Sequence, residues 1–328
     1  MYLRAMPASS WLPRDWTSKS AWLEAAHQAA RIMRRDLAHA TPQQIRHAIE
    51  LASRLNPGPM GGEFEVVNHG FWSGAEVRWK ERNEGTVVWI HGGAFAFGSP
   101  RVYRAAATHL ARETRCRVLL IDYRLAPENT YPSAHEDVAN ALSGLFKEGE
   151  LVVVGDSAGG NLAASVCQQL RQEQEASSLR GLALLSPWCD LRPVAESVVQ
   201  NRVSHSPFDE RDALEYAEAY LAGHPPEDPA VSPRLIQDYS RWPRTYVEWA
   251  GDEFLAPDIA QWVADMENRG VKVTSRIEHS AVHGWQLLPD LLPEAKRSMA
   301  ALGSWAREAL GLPPVVKSIG RGMGRHSR

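Results

Sequence analysis

Residues 151–170, LVVVGDSAGGNLAASVCQQL, change character at a serine that stands between glycines. The apolar residues at the start are typical of a strand buried on both faces, and a helical pattern follows the glycines at once. Gly155 and Gly159 lie two positions to either side of Ser157, where a Cβ would clash in so sharp a turn. The chain therefore has to adopt a fold in which a buried strand turns directly into a helix.

Strand-like and helical patterns alternate along most of the chain. Short apolar strands separated by helices predict a mostly parallel sheet of about eight strands flanked by helices, an α/β fold. The first two strands are too close for a helical crossover, so we expect them to be antiparallel. The strand candidates are FEVVN, AEVRWK, TVVWI, RVLLIDY, LVVVG, LALLS, TYVEWA and VKVTSRI, and the helical patterns cover 101–114, 133–146, 158–175, 256–268 and 293–310.

Two parts of the chain depart from this alternation. Residues 1–60 have a helical, amphipathic pattern, and their second helix begins at a capping box formed by Thr41 and Gln44 in TPQQIRHAIELASRL. Residues 191–240 carry prolines, charges and the helix DERDALEYAEAYLAG where a plain α/β layer would have one crossover. We interpret both parts as a helical cap over one end of the sheet. The remaining boundaries are 61–190 and 241–312 for the α/β domain and 313–328 for a flexible basic tail.

Composition excludes several classes of protein. A formal net charge of −3 gives no electrostatic reason to expect nucleic acid or an anionic membrane as partner. No stretch approaches the roughly 18 uninterrupted apolar residues of a membrane span, and the N-terminus lacks the apolar run of a signal peptide. Cys116, Cys167 and Cys189 are too scattered for a disulfide framework or a zinc site, which predicts buried free thiols. We expect a cytoplasmic protein, monomeric or homodimeric, that binds no nucleic acid and does not insert into membranes.

The pentapeptide around Ser157 matches G-x-S-x-G, in which a strained strand-to-helix turn exposes a nucleophilic serine. A nucleophilic serine needs a general base and backbone donors for the oxyanion that forms when it attacks a carbonyl. In VVWIHGGAFAFGS a buried strand is followed by a glycine pair whose N–H groups no side chain obstructs. Gly92 and Gly93, together with the amide of Ala158, are therefore the predicted oxyanion donors.

The candidate base and acid follow the last two strands. His283 lies in EHSAVHGW, beyond the strand VKVTSRI, whereas we interpret His279 as structural. The acid is expected in TYVEWAGDEFLAPDI, where Asp252 and Glu253 are adjacent and composition does not choose between them.

These segments together resemble the hormone-sensitive-lipase-like esterases, bacterial family IV, of the α/β-hydrolase superfamily. The resemblance runs in order from about residue 86 to 310 through HGGAF, DYRLAPE, GDSAGGN, LLSPWCDL, VSP and VHGW. It implies an α/β-hydrolase fold with a cap, no metal and no organic cofactor. It also implies Ser157 as nucleophile, His283 as general base, Gly92, Gly93 and Ala158 as oxyanion donors, and His91, Asp122 and Arg124 as supports of the oxyanion loop.

The sequence departs from the family pattern in two places. Ala94 stands where the family has a third glycine, which still leaves the two preceding amides free. The acid region reads AGDEFLAPD, and an ungapped alignment puts the family aspartate at Glu253, 30 residues before His283 (283 − 253 = 30). Asp252 would require a shift of one residue and stays an alternative, since any carboxylate that faces the second ring nitrogen can orient the imidazole.

The resemblance implies hydrolysis of short-chain or bulky apolar carboxylic esters, small molecules, through an acyl-enzyme. A lactonase, a deacetylase or an amidase would use the same residues. A ligand-binding receptor on an inactive hydrolase fold is disfavoured because Ser157, a carboxylate and His283 are all present. Among the 12 tryptophans, Trp188 and Trp285 flank strand ends and Trp11, Trp16 and Trp22 fall in the predicted cap. They either line an aromatic pocket or pack the cap against the body.

Overall fold

A computed structural model describes residues 40–80, 83–192, 210–279 and 281–315 of the chain. The predicted cap helix and the tryptophans before residue 40, the early part of the 191–240 insert and most of the basic tail lie outside the described residues. The extent of the cap and the domain boundaries therefore stay predictions.

The strands form one eight-stranded sheet in the order β1-β2-β4-β3-β5-β6-β7-β8. β1 pairs antiparallel with β2, and β2 pairs antiparallel with β4. All pairings from β4 through β3 to β8 are parallel. The predicted sheet and its antiparallel start are thus confirmed. The strands are β1 (Gly62–Asn68), β2 (Ser73–Trp79), β3 (Thr86–Ile90), β4 (Arg117–Ile121), β5 (Leu151–Asp156), β6 (Leu179–Leu185), β7 (Thr245–Ala250) and β8 (Val273–Glu278).

Helices cover both faces of this sheet, because the central strands are apolar on both sides. Val88 and Ile90 of β3 join one buried cluster, whereas Val87 and Trp89 join the other, as the period of two in a strand requires. α3, α4 and α6 pack in the first cluster, and α2 and α7 pack in the second. The helices are α1 (Pro42–Ser53), α2 (Arg104–Thr114), α3 (Ser133–Glu148), α4 (Ser157–Gln172), α5 (Glu210–Leu221), α6 (Ala256–Asn268) and α7 (Pro293–Ala309).

Two helices belong to the segments predicted to form the cap. α1 begins with the predicted capping box: Thr41 Oγ1 accepts the Gln44 amide at 3.3 Å, and Gln44 Oε1 accepts the Thr41 amide at 2.8 Å. α5 lies in the 191–240 insert, and Tyr220 near its end stacks on Phe95 with ring centroids 3.8 Å apart. The described part of the insert therefore packs on the loop that follows β3.

Because β3, β5, β7 and β8 are parallel, the segments that follow them meet at one edge of the sheet. Ser157 follows β5, Glu253 follows β7 and His283 follows β8. The fold thus brings Ser157 together with residues that lie 96 and 126 positions further along the chain (253 − 157 = 96; 283 − 157 = 126).

The expectations about cysteines and membrane spans can be compared with the described residues. Cys116, Cys167 and Cys189 are buried free thiols, as predicted. None of the helices in the described ranges is both long and apolar enough to cross a membrane.

Candidate active site

Ser157 is the first residue of α4 and has the left-handed φ of +51°. A Cβ on Gly155 would lie in hard contact with the carbonyl oxygen of Gly159, and a Cβ on Gly159 would meet that of Ile90. Backbone atoms cannot move aside as a flexible side chain can, so both positions require glycine. The predicted elbow is therefore present, and strain of this kind is typical of nucleophilic serines at such corners.

A chain of hydrogen bonds joins the three predicted triad residues. Ser157 Oγ lies 2.9 Å from Nε2 of His283, and Nδ1 of His283 lies 2.6 Å from Oε2 of Glu253. The second oxygen of Glu253 accepts the amide of Ala250 at 3.3 Å, which ties the carboxylate to the end of β7. The Asp252 side chain is exposed, whereas that of Glu253 is fully buried. Of the two candidate acids, the structure brings Glu253 to the histidine.

The surroundings of His283 favour its protonated form. Burial by itself lowers the pKa of the ring, but the charge and hydrogen bond of Glu253, assisted by the charge of Asp156, outweigh it. The pKa of His283 is consequently raised above its ordinary value of 6.5. A base of this strength can take a proton from a serine hydroxyl and hold it while the carbonyl is attacked.

In the loop after β3, one of the predicted oxyanion donors, the Gly92 amide, already has acceptors within the protein. The Gly92 amide donates to Tyr103 Oη at 2.8 Å and to Asp156 Oδ1 at 3.1 Å. The prediction that this amide is free for an oxyanion is therefore wrong, because the buried carboxylate of Asp156 at the end of the neighbouring strand accepts it. Gly92 lies near the start of the loop, and its N–H is already engaged by two buried side chains.

The next amides of the loop remain as candidate donors. Within the part of the chain that the structure describes, the N–H groups of Gly93, Ala94 and Ala158 have no protein acceptor. Gly93 and Ala94 have φ values of +116° and +51° and line the cavity beside Ser157. A Cβ on Gly93 would collide with the backbone of Phe97, which explains the glycine there. Ala94 thus replaces Gly92 among the candidate donors.

His91, which the family resemblance implies as a support of this loop, is buried at its start. The ring is buried and stacks on Tyr123 with centroids 4.2 Å apart, and its Nδ1 lies 2.9 Å from the carbonyl oxygen of Gly92. Burial lowers the pKa of His91 to about 4, so the ring is neutral at physiological pH. Because a carbonyl oxygen can only accept, Nδ1 carries the proton.

Asp122 and Arg124 do not brace the loop directly. The side-chain hydrogen bonds of Arg124 go to α3, at Asp137, Glu136 and the Ser133 carbonyl. The Asp122 side chain is exposed. The residue between them supplies the support instead, since Tyr123 Oη donates to the His91 carbonyl at 2.6 Å. Successive side chains of an extended segment point to opposite sides, so the buried tyrosine leaves its two neighbours facing outward.

Besides Tyr123, three further supports of the loop were not predicted from the sequence. Asp156 accepts Trp89 Nε1 at 2.9 Å in addition to the Gly92 amide, and Tyr103 Oη donates to its other oxygen at 2.6 Å. Arg46 of α1 donates from Nε to the Ala96 carbonyl at 2.7 Å. The place of Asp156 inside GDSAG was an available signal, whereas no local pattern marks Tyr103 or Arg46.

A cavity of about 180 Å³ opens at Ser157 and His283. Trp188 lines it, which agrees with the aromatic-pocket hypothesis for that residue. Trp285 is completely buried and packs with Ala250 and Ala281 in a separate cluster, so it has a packing role. The other aromatic lining residues are Phe97, Tyr103, Tyr216 and Phe254.

Comparison with known proteins identifies the family. A model of the α/β-hydrolase fold family matches residues 87–287, from β3 to just beyond His283. The chain belongs to this family. Within it, an esterase from Acinetobacter venetianus is 31% identical to this α/β-hydrolase over 81% of this chain and 88% of its own length. An acetyl-hydrolase from Streptomyces hygroscopicus is 30% identical over 75% of this chain and 83% of its own length.

A solved structure narrows the assignment. The crystal structure of an esterase from the bacterial hormone-sensitive lipase family matches this α/β-hydrolase with a TM-score of 0.82 and 28% sequence identity. The match covers 90% of this chain and 100% of that chain. The protein is thus a hormone-sensitive-lipase-like hydrolase that acts on carboxylic ester bonds. The family resemblance expected from the sequence motifs is confirmed.

Proposed function

We propose that this protein is a serine carboxylesterase in which Ser157, His283 and Glu253 act as a catalytic triad through an acyl-enzyme. The hydrogen-bond chain from Ser157 Oγ to His283 Nε2 at 2.9 Å, and from His283 Nδ1 to Glu253 Oε2 at 2.6 Å, carries this proposal. A serine at an elbow, a base within reach and a carboxylate behind the base are what nucleophilic acyl transfer requires.

In the first half-reaction, Ser157 Oγ forms a bond to the ester carbonyl carbon while its proton passes to Nε2 of His283. The carbonyl oxygen becomes an oxyanion that accepts hydrogen bonds from the amides of Gly93, Ala94 and Ala158. Each such donor is worth about 10²–10³ in rate. The tetrahedral intermediate then collapses, the bond to the leaving oxygen breaks, and His283 gives its proton to the departing alcohol.

In the second half-reaction, water replaces the alcohol. His283 takes a proton from the water as its oxygen attacks the acyl-enzyme, and a second oxyanion occupies the same donors. Collapse releases the carboxylic acid and returns the proton to Ser157. In both steps the Glu253 carboxylate accepts a hydrogen bond from Nδ1–H and stabilises the imidazolium that forms.

The cavity supports a small, neutral substrate. Its volume of about 180 Å³ lies below the roughly 300–1,000 Å³ of pockets that hold drug-sized ligands. Among the described residues that line it, Asp156 is the one acidic side chain, and its oxygens are engaged by Trp89, Gly92 and Tyr103. We therefore propose esters with a short acyl group and no charge near the scissile bond.

Hydrolysis of p-nitrophenyl esters tests the proposal. Wild-type protein should hydrolyse p-nitrophenyl acetate and butyrate, and Ser157→Ala should reduce turnover to the level of buffer. The folded state of the variant is checked by circular dichroism. A folded wild-type protein without activity on either ester at neutral to alkaline pH, or a Ser157→Ala variant that keeps its turnover, would overturn the proposal.

The same experiment separates the alternative reactions. A panel with a lactone, an acetylated sugar and a p-nitroanilide distinguishes lactonase, deacetylase and amidase activity from simple ester hydrolysis. Because a relative is named an acetyl-hydrolase, acetyl esters belong in the panel. The highest kcat/KM in the panel assigns the reaction.

A further inference from the structure

Both backbone polar groups of Gly92, its N–H and its carbonyl oxygen, are engaged by buried side chains. Its N–H donates to Tyr103 Oη at 2.8 Å and to Asp156 Oδ1 at 3.1 Å, and its carbonyl oxygen lies 2.9 Å from Nδ1 of His91. The orientation of this residue is therefore determined by Asp156 and Tyr103 at its amide and by His91 at its carbonyl. The amides of Gly93 and Ala94 follow directly, so their directions depend on how Gly92 is held.

Asp156 and Tyr103 form a buried pair under the loop. Tyr103 Oη donates to Asp156 Oδ2 at 2.6 Å and accepts the Gly92 amide, so the hydroxyl acts as donor and as acceptor at once. The other oxygen of Asp156 accepts Trp89 Nε1 at 2.9 Å. The carboxylate is 4% exposed and the tyrosine 3%, which leaves little access for water to replace either partner. Trp89, Gly92 and Tyr103 all donate to the Asp156 carboxylate. These hydrogen bonds favour its anion, but burial outweighs them and raises the pKa of Asp156 above its ordinary value.

We propose that Tyr103 is a positioning residue for catalysis, which acts with Asp156 to turn the Gly92 amide inward and thereby aims the Gly93 and Ala94 amides at the oxyanion. The ring of Tyr103 also lines the cavity, but the proposed effect depends on its hydroxyl. The inference rests on the proposed function, since an oxyanion loop matters only if Ser157 attacks a carbonyl. It adds a residue that lies 54 positions from the nucleophile (157 − 103 = 54) and outside the motifs of the sequence.

The loop has a reason to need such support. Three successive residues, Gly93, Ala94 and Phe95, have positive φ values of +116°, +51° and +59°. Two of them are not glycine, and such conformations persist only where the surroundings hold them. Without the Tyr103 hydroxyl the Gly92 amide loses its nearer acceptor, and the strained residues after it can relax away from the position of the oxyanion.

The decisive variant is Tyr103→Phe, which keeps the ring in the cavity wall and its edge contact with Trp89 while removing the hydroxyl. We expect kcat for p-nitrophenyl butyrate to fall about 10- to 100-fold, a fraction of what a lost oxyanion donor costs, with KM nearly unchanged. Tyr239→Phe is the matched control. It also removes a buried hydroxyl, one that accepts Trp262 Nε1 at 2.9 Å, from a residue that does not line the cavity.

An inhibitor separates positioning from general destabilisation. A trifluoromethyl ketone forms a tetrahedral adduct with the serine, and the oxyanion of the adduct binds in the same hole. Its affinity should fall in Tyr103→Phe by about the same factor as kcat/KM, whereas KM for the neutral ester p-nitrophenyl butyrate should stay nearly unchanged. Equal kinetics and inhibitor affinity in Tyr103→Phe and Tyr239→Phe would overturn the inference.

Asp156→Asn provides the second variant, which decides the question if Tyr103→Phe does not fold. Its amide keeps one oxygen for Trp89 and Gly92 but faces the tyrosine hydroxyl with an N–H group. We expect a loss of kcat with unchanged KM, and in the double variant a loss no larger than that of the worse single change, since the two residues act as a pair. A loss in the double variant equal to the product of the two single losses would refute the pairing. An inactive wild-type protein would refute the proposed function, whereas active wild type with unaffected variants refutes this inference alone.

Discussion

The Glu253 carboxylate lies 2.6 Å from Nδ1 of His283, and its second oxygen accepts the Ala250 amide at 3.3 Å. The first contact holds the ring so that Nε2 faces Ser157 Oγ at 2.9 Å, and the second fixes the carboxylate to the end of β7. A glutamate side chain reaches the ring from the third position after the strand. The adjacent Asp252 is shorter by one methylene and is exposed.

Glu253→Gln removes the charge behind His283 while keeping the shape of the side chain. We expect kcat to fall roughly 10²- to 10⁴-fold, because the amide can stabilise the wrong tautomer and does not stabilise the imidazolium. Asp252→Asn, the matched change in the adjacent residue, should alter kcat less than about twofold, as expected for exposed positions away from the chemistry. Steady-state kinetics with p-nitrophenyl butyrate checks both values. A larger loss in Asp252→Asn would contradict the assignment of the acid.

The raised pKa of His283 predicts the acid side of the pH profile. His283 must be neutral to accept the serine proton, so kcat/KM should fall as the pH drops through a value above 6.5. In Glu253→Gln the fall of the residual activity at acid pH should shift to a lower pH. The carboxylate that raises the pKa of His283 is then gone, while burial still lowers that pKa. Profiles of kcat/KM between about pH 5 and pH 9 test this. An acid limb at the same pH in both proteins would show that Glu253 does not set the basicity of the ring.

The structure shows that the side chain of Arg46 contacts the loop after β3, whereas that of Arg124 contacts α3. Arg46 donates to the Ala96 carbonyl and to the Ala126 carbonyl, each at 2.7 Å, and so connects α1 with the loop. Arg46→Gln should reduce kcat/KM about tenfold through misplaced donors. Arg124→Gln should leave kcat/KM within about twofold and cost at most about 1 kcal/mol of unfolding free energy, since its ion pair with Asp137 is exposed. Kinetics and urea denaturation of both variants test the contrast, which equal losses of activity would refute.

Trp188 limits the size of the cavity. Its backbone amide donates to the Ser157 carbonyl at 2.9 Å and its carbonyl accepts Asn161 Nδ2 at 2.8 Å, so Trp188→Ala keeps these backbone contacts. We expect the ratio of kcat/KM for a hexanoate ester to that for the acetate to rise about tenfold, a typical effect of enlarging an apolar pocket. Trp72→Ala is the control, because Trp72 is similarly buried but does not line the cavity. The same ratio in both variants would exclude Trp188 as a size limit.

The sequence predicted those parts of the site that depend on local pattern. Ser157 is recognisable because its glycines and the strand-to-helix change occur within ten residues, and His283 because it follows the last strand. The spacing of 30 residues to His283 favoured Glu253 over Asp252. The fold could be predicted from local patterns as well, since each strand carries its own apolar run.

The direction of single backbone groups could not be predicted in this way. The glycine pair after β3 predicts amides that no side chain obstructs. Which of these amides is left free depends on Asp156 and Tyr103, which lie 64 and 11 positions from Gly92. Likewise, the motif DYRLAPE contains the support of the loop, but only packing decides that the tyrosine supplies it.

Among the described strands, β8 forms one edge of the sheet and pairs with β7 alone, and most of its residues are exposed. The imidazole follows this peripheral strand, whereas the hydroxyl follows β5 in the centre. Regions with few buried contacts open at lower free energy than the core does. Turnover should therefore vanish in dilute urea, or on gentle warming, before the far-ultraviolet circular dichroism changes. Loss of activity would then measure local opening of β8 and the segment that carries His283.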